Sequence, residues 1–300
     1  MLTSPRMVSD VSDTFRARLI ATLLAVVALT ACVSRDQRFS AGASTGPRPV
    51  VLQGAMEVEV RRLAAILTNP AEEKVQAWTF WRGTIDGYPV VVSKTLKGLA
   101  NAAAATSIAA ERYHPIAIIN QGTAGGHVSD LRVFDIVVGT DAVNLGSFKT
   151  GYRARGKGTD LGEWVPLDLM RSDGSAGNDP NARVMRRFHA DERLLAAARG
   201  AEALYQKGRI VEGVIGSSEV WNSEIDRIDR FHDAFGTTVE EMETASAAQI
   251  AGIFDIPFLG IRVVSNNITN GGTYDTKTAE ACQDFVYDVV KRYVGGLRKQ

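Results

Sequence analysis

The run Phe258 to Val264 reads Phe-Leu-Gly-Ile-Arg-Val-Val, and Arg262 is its one polar side chain. A strand with one face in water alternates apolar and polar residues. A nearly continuous apolar run fits a strand covered on both faces. Other largely apolar runs occur at Pro49 to Leu52, Ile116 to Asn120, Phe134 to Val143 and Arg209 to Ile215. Between them lie stretches with helical spacing. Met56, Val60, Leu63, Ala64 and Leu67 mark one helix. Gly98 to Tyr113 is alanine-rich, and Pro115 ends it. Asp191 to Gln206, Val239 to Phe254 and Thr278 to Val294 complete the helical set, while Asp86-Gly87 reads as a two-residue hairpin turn between Trp78–Ile85 and Tyr88–Ser93. Strands alternating with helices predict an α/β domain with three layers, α/β/α, around a central, mostly parallel mixed sheet.

Three hundred residues, 45% of them hydrophobic and 23% charged, suffice for a sizeable core and exclude a disordered chain. A formal net charge of zero gives no broad positive field, so nucleic acid is not the expected partner and a small molecule is. The first 32 residues stand apart. Arg16 and Arg18 precede an apolar run, Leu19 to Leu29, of signal-peptide length and too short for a comfortable membrane span. The run ends in Leu29-Thr30-Ala31-Cys32, which resembles the lipobox of bacterial lipoproteins. That reading makes Cys32 the lipid-bearing first residue of an exported chain, periplasmic or membrane-anchored; a plain secretory signal is the alternative. Residues 33–48 then form a polar tether, and the folded domain spans 49–300. With Cys32 lipidated, Cys282 has no partner and no structural disulfide is expected.

In α/β sheets, ligands sit beyond the carboxyl ends of strands. Five segments fall there: Gly54 to Glu59, Gln121 to Gly126, Ser217 to Trp221, Glu241 to Glu243, and Ser265 to Asn267. Singly, each is weak. The glycine-rich loop matches neither a P-loop nor a dinucleotide fingerprint. A Glu near a helix start is commonly just a favourable charge on the helix dipole.

Taken in order, GAMEVEV (Gly54–Val60), NQGTAGG (Asn120–Gly126), EEMETAS (Glu240–Ser246) and PFLGIRVVSN (Pro257–Asn266) resemble the methylthioadenosine/S-adenosylhomocysteine nucleosidases of the nucleoside phosphorylase superfamily. The resemblance runs from about Val50 to Val294 and is lost between Thr150 and Ala182. It implies hydrolysis of the N-glycosidic bond of a purine nucleoside, a homodimer, and no cofactor or metal. It places Glu59 as the group that activates water, with Thr123 and Arg262 holding that water. Glu243 takes the ribose hydroxyls, with Glu241 and Met242 beside it. Trp221, followed by Asn222, stacks on the purine; Met56 lies near the catalytic end; Tyr274 closes over the 5′ substituent. Met56 and Met242 read equally as core packing.

One position departs from the family pattern. The general acid, an aspartate in a sequence like RAISD, is replaced by Asn266. An amide cannot protonate a leaving purine, and loss of a general acid costs roughly 10²–10⁴ in rate. An amide also offers both a donor and an acceptor, which suits a 6-oxopurine nucleoside. Two further readings stay open: a phosphate-dependent purine nucleoside phosphorylase and a non-catalytic nucleoside-binding lipoprotein. Glu59 would repel phosphate and Lys94 to Gly98 has no arginine for it, which favours water as the nucleophile.

Overall fold

The computed structural model describes residues 46–158, 163–167, 169–170, 184–267 and 271–298. The signal-like segment, Cys32 and nearly all of the tether lie outside the described residues, as does much of the polar stretch after Gly158. Ten strands form the main sheet. Numbered along the chain they are β1 (Val50–Gly54), β2 (Thr68–Val75), β3 (Trp78–Ile85), β4 (Tyr88–Lys94), β5 (Ala117–Gly126), β6 (Ile136–Asn144), β7 (Arg187–His189), β8 (Ile210–Ser217), β9 (Thr237–Glu241) and β10 (Phe258–Asn266). The helices are α1 (Glu57–Ala65), α2 (Leu99–Tyr113), α3 (Glu192–Ala201), α4 (Ile225–Phe235), α5 (Thr244–Ile253) and α6 (Thr278–Leu297).

The central strand β1 is wholly buried and lies parallel to both β4 and β5. Its side chains alternate between two cores, as the period of a strand requires. Val50 and Leu52 pack with Leu63 of α1, Leu194 of α3 and Phe285 of α6. Val51 packs the other way, with Ala109 of α2 and Ala245 and Ala248 of α5. Helices therefore cover both faces, and the three-layer expectation holds. Burial of one such Leu or Phe contributes roughly 1.5–3 kcal/mol. The alanines of α2 and α5 let those helices lie close to the sheet; Ala102, Ala105 and Ala251 are fully buried.

The sheet runs β7-β6-β8-β9-β5-β1-β4-β3-β2, and β10 joins β5 to β6. This closes a ring. β10 is parallel to β5 and antiparallel to β6, β6 and β9 are each parallel to β8, and β9 returns antiparallel to the end of β5. The ring gathers the ends of β5, β8, β9 and β10 into one place. In the Asp86-Gly87 turn both residues have positive φ, 49° and 73°, as a type I′ hairpin needs.

Four local expectations need correction. Gln121 to Gly126 is not a loop but the second half of β5, paired with β10. Val239 to Phe254 is not one helix: Val239 to Glu241 pair with β8 and β5, and α5 starts only at Thr244. The strand β2 carries Pro70 and four exposed charged or polar residues, Thr68, Asn69, Glu72 and Lys74, which hid it; among the described residues it pairs with β3 alone, at the sheet edge. The helix α4 was missed although Ile228, Phe231 and Phe235 bury one face of it.

Candidate active site

All five segments singled out above meet around one cavity of about 580 Å³ at the closed end of the ring. Glu59 lies in the first turn of α1, whose start is set by Met56. Its carboxylate is buried and held by four donors. Oε2 accepts from the backbone N–H groups of Ala55 (3.0 Å) and Met56 (3.1 Å); Oε1 accepts from the N–H (2.9 Å) and hydroxyl (3.0 Å) of Thr123. The Thr123 hydroxyl is also 3.3 Å from the Tyr274 hydroxyl.

Gly122 explains how β5 comes this close. A Cβ at that position would sit 2.7 Å from Glu59 Oε1. The carboxylate is the part that can yield, so Gly122→Ala should displace it and leave the fold intact. A misplacement of about 1 Å can cost roughly 10²-fold in rate. We expect hydrolysis to fall by at least about tenfold, with a thermal melt close to that of the parent; unchanged turnover would remove the need for this close approach.

Glu243 occupies the N-cap position of α5. Gly98, with φ of 100° at the start of α2, donates its N–H to Glu243 Oε1 at 2.9 Å. The next N–H, of Leu99, donates to Glu219 at 2.6 Å. Burial pushes the Glu243 carboxyl up to about 8, repulsion from Glu241 and Glu59 adds to this, and Arg262 opposes it.

Two expected contacts are corrected. Arg262 is buried beneath the cavity, 1% exposed, and all five of its N–H donors are used inside the protein. They go to Glu241, to the backbone and side-chain oxygens of Asn120, and to the carbonyl of Ile261. None is left to hold a water. Glu241 lines the cavity, but its carboxylate is engaged within the protein. It is bound by Arg262, by the Ser217 hydroxyl, and by the N–H groups of Glu243 and Thr244 at the start of α5. Arg262 and Glu241 are thus a buried pair that fixes Glu243, which lies 3.9 Å from the same guanidinium.

Met56 and Met242 line the cavity, so neither is pure core. Trp221 is 64% exposed, which excludes an ordinary core role. Its ring meets Tyr274 edge-on at 5.8 Å. Asn266 stands at the end of β10 opposite Gly125, and its side chain lines the cavity. The Ser265 hydroxyl donates to its Oδ1 at 3.0 Å. The sequence reading missed a cluster on the same wall. Glu240 accepts from His127 Nε2 (3.0 Å), the Ser218 hydroxyl (2.6 Å) and Asn222 Nδ2 (2.8 Å). Burial raises its carboxyl pKa, yet these hydrogen bonds outweigh burial and the net shift is downward. His127 directly after NQGTAGG and Glu240 inside EEMETAS were the available signal.

The chain matches the family model described as Phosphorylase superfamily over residues 49–295. It is 32% identical to the 5′-methylthioadenosine/S-adenosylhomocysteine nucleosidase of Anoxybacillus flavithermus over 72% of this chain and 84% of the relative. Two crystal structures of such nucleosidases are similar in fold. That from Neisseria meningitidis, in complex with methylthio-immucillin-A, has a TM-score of 0.66 at 24% identity, over 82% of this chain and 99% of that one. That from Colwellia psychrerythraea, in complex with adenine, has a TM-score of 0.65 at 25% identity, over 82% and 96%. The fold and the matched residues make this chain a member of the phosphorylase superfamily. Within that superfamily it belongs to the 5′-methylthioadenosine/S-adenosylhomocysteine nucleosidase family.

Proposed function

We propose that the protein hydrolyses the N-glycosidic bond of a purine nucleoside and releases the free base. The observation that carries this is the pair of fixed carboxylates, Glu59 and Glu243, on one cavity. Cleavage builds positive charge on the ribose, which a nearby carboxylate stabilises. Glu243 accepts hydrogen bonds from the ribose hydroxyls and faces that charge. Glu59 takes the proton of the attacking water. Its four acceptor sites are filled, but the Thr123 hydroxyl can turn to Tyr274 and free a lone pair on Oε1 for the water. Trp221 covers the base, and the Asn266 amide donates to N7 or O6 on its edge.

Water rather than phosphate is the nucleophile. The N-terminus of α2 is the natural anion site beside the ribose. Its leading N–H groups, from Gly98 and Leu99, are already taken by Glu243 and Glu219. A phosphate would have to displace two carboxylates and then sit among them. Methylthioadenosine and S-adenosylhomocysteine are the substrates favoured by kinship; Asn266 favours a 6-oxopurine nucleoside as the second reading. Base release from methylthioadenosine, S-adenosylhomocysteine, adenosine, inosine and guanosine tests the proposal. Release from at least one is expected in phosphate-free buffer. Tight binding with no release from any would make the protein a nucleoside carrier.

The raised Glu243 carboxyl sets a pH dependence. The acceptor form is the ionised one, so protonation below about 8 removes it. We expect kcat/KM to fall by about tenfold per pH unit on the acid side of that value. Glu243→Gln should abolish this limb of the profile. A flat profile from pH 6 to 9 would contradict the assignment.

Export with a lipid on Cys32 and a homodimeric state are further parts of the proposal. The first rests on the Arg16-to-Cys32 pattern. The second rests on kinship and on the exposed apolar side chains of Val220, Trp221 and Ile225 at the cavity rim.

A further inference from the structure

We infer that Glu240, clamped by His127, is a positioning residue that holds the base-covering segment in place; the inference rests on the nucleoside-site reading above. Residues Ser218 to Glu224 form neither helix nor strand. This segment carries Trp221, whose exposed indole has little packing of its own. One buried carboxylate anchors the segment on both sides of Trp221: Ser218 donates to Glu240 Oε1 and Asn222 to Oε2. His127, at the end of β5, donates to the same Oε2, and its other ring nitrogen is 2.8 Å from the Thr237 hydroxyl of β9. Asn222 Oδ1 accepts from the Glu224 N–H at 3.1 Å and so is also committed.

Every polar atom in this cluster has a partner within the protein. His127, Asn222 and Glu240 all line the cavity, yet each is already engaged within the cluster. The role inferred for the cluster is geometric, because its bonds tie the segment to the sheet. From it a contact path crosses the site: Asn222 fixes Trp221, whose ring meets Tyr274, whose hydroxyl reaches Thr123, which holds Glu59. A carboxylate at Glu240 thus sets where the aromatic wall stands relative to the catalytic carboxylate. A buried charge satisfied by three donors is rigid, because losing any one of them leaves it exposed to a large desolvation cost.

The test compares Glu240→Leu, Glu240→Gln and Asn222→Ala with the parent. Adenosine is titrated against tryptophan emission, with Trp221→Phe identifying the Trp221 component, and base release gives KM and kcat. In Glu240→Leu and Asn222→Ala we expect Kd and KM to rise by about tenfold or more, with kcat within about threefold and the Trp221 signal lost. Glu240→Gln keeps an acceptor for Asn222 and should restore Kd to within about threefold. Asn222→Ala removes two hydrogen bonds from a segment outside the helices and strands, so it reports even if Glu240→Leu does not fold. Unchanged Kd in folded Asn222→Ala would overturn the inference, as would a fall in kcat at constant KM. If the parent binds adenosine yet releases no base, the nucleosidase reading fails while the Kd comparison still decides the role of Glu240. A parent that binds no nucleoside overturns both.

Discussion

Glu59→Gln should lower hydrolysis by about 10²–10⁴-fold while leaving nucleoside affinity within a few-fold of the parent. The side chain keeps its length and can still accept at one atom, so Ala55, Met56 or Thr123 retain a partner. What is lost is the capacity to take a proton from water. The amide NH₂ would also face a donor at whichever position it takes, since all four contacts on the carboxylate are donors. The effect therefore belongs in kcat, read as base release at saturating substrate. An undiminished kcat would remove Glu59 from its role and move the search to another group on the cavity.

Asn266→Asp should act in the opposite direction, raising cleavage of adenine nucleosides by roughly 10²-fold. The residue stands on the end of β10 opposite Gly125, and a Cβ at that glycine would lie 3.2 Å from its Nδ2. Position and reach are therefore those of a group on the base. Aspartate is nearly the same size, and Ser265 can still donate to one oxygen. Other carboxylates on the same cavity disfavour a further negative charge, which keeps such a group protonated and able to donate. The gain should appear in kcat for adenosine and methylthioadenosine and be smaller for inosine. If the substitution slows adenine-nucleoside cleavage, Asn266 is not a missing acid but a specificity group for a 6-oxopurine base.

Much of the fold was legible because the interior strands announce themselves. Val50 to Leu52 and Phe258 to Val264 are apolar on both faces, and the structure covers both. What stayed hidden was set by distant pairing. Glu240 and Glu241 continue a helical pattern in sequence, yet β5 and β8 capture them as strand. That capture puts Glu243 at the helix N-cap, on the cavity wall. The resemblance named residues that line the cavity, but not the direction of their donors. Arg262 was expected beside the water; its donors instead converge on Glu241 and Asn120. The His127–Glu240 contact joins residues 113 apart and has no local signature. The family resemblance singled out Glu59, Glu241 and Glu243, and the packed structure shows which partners hold each of them.

The central claim is that water, not phosphate, completes the cleavage. The direct measurement is the mass of the sugar product formed from methylthioadenosine, or from whichever nucleoside is cleaved, in buffer containing excess inorganic phosphate. The account predicts the free pentose derivative, at a rate unaffected by phosphate. A sugar 1-phosphate, or cleavage that requires phosphate, would contradict it.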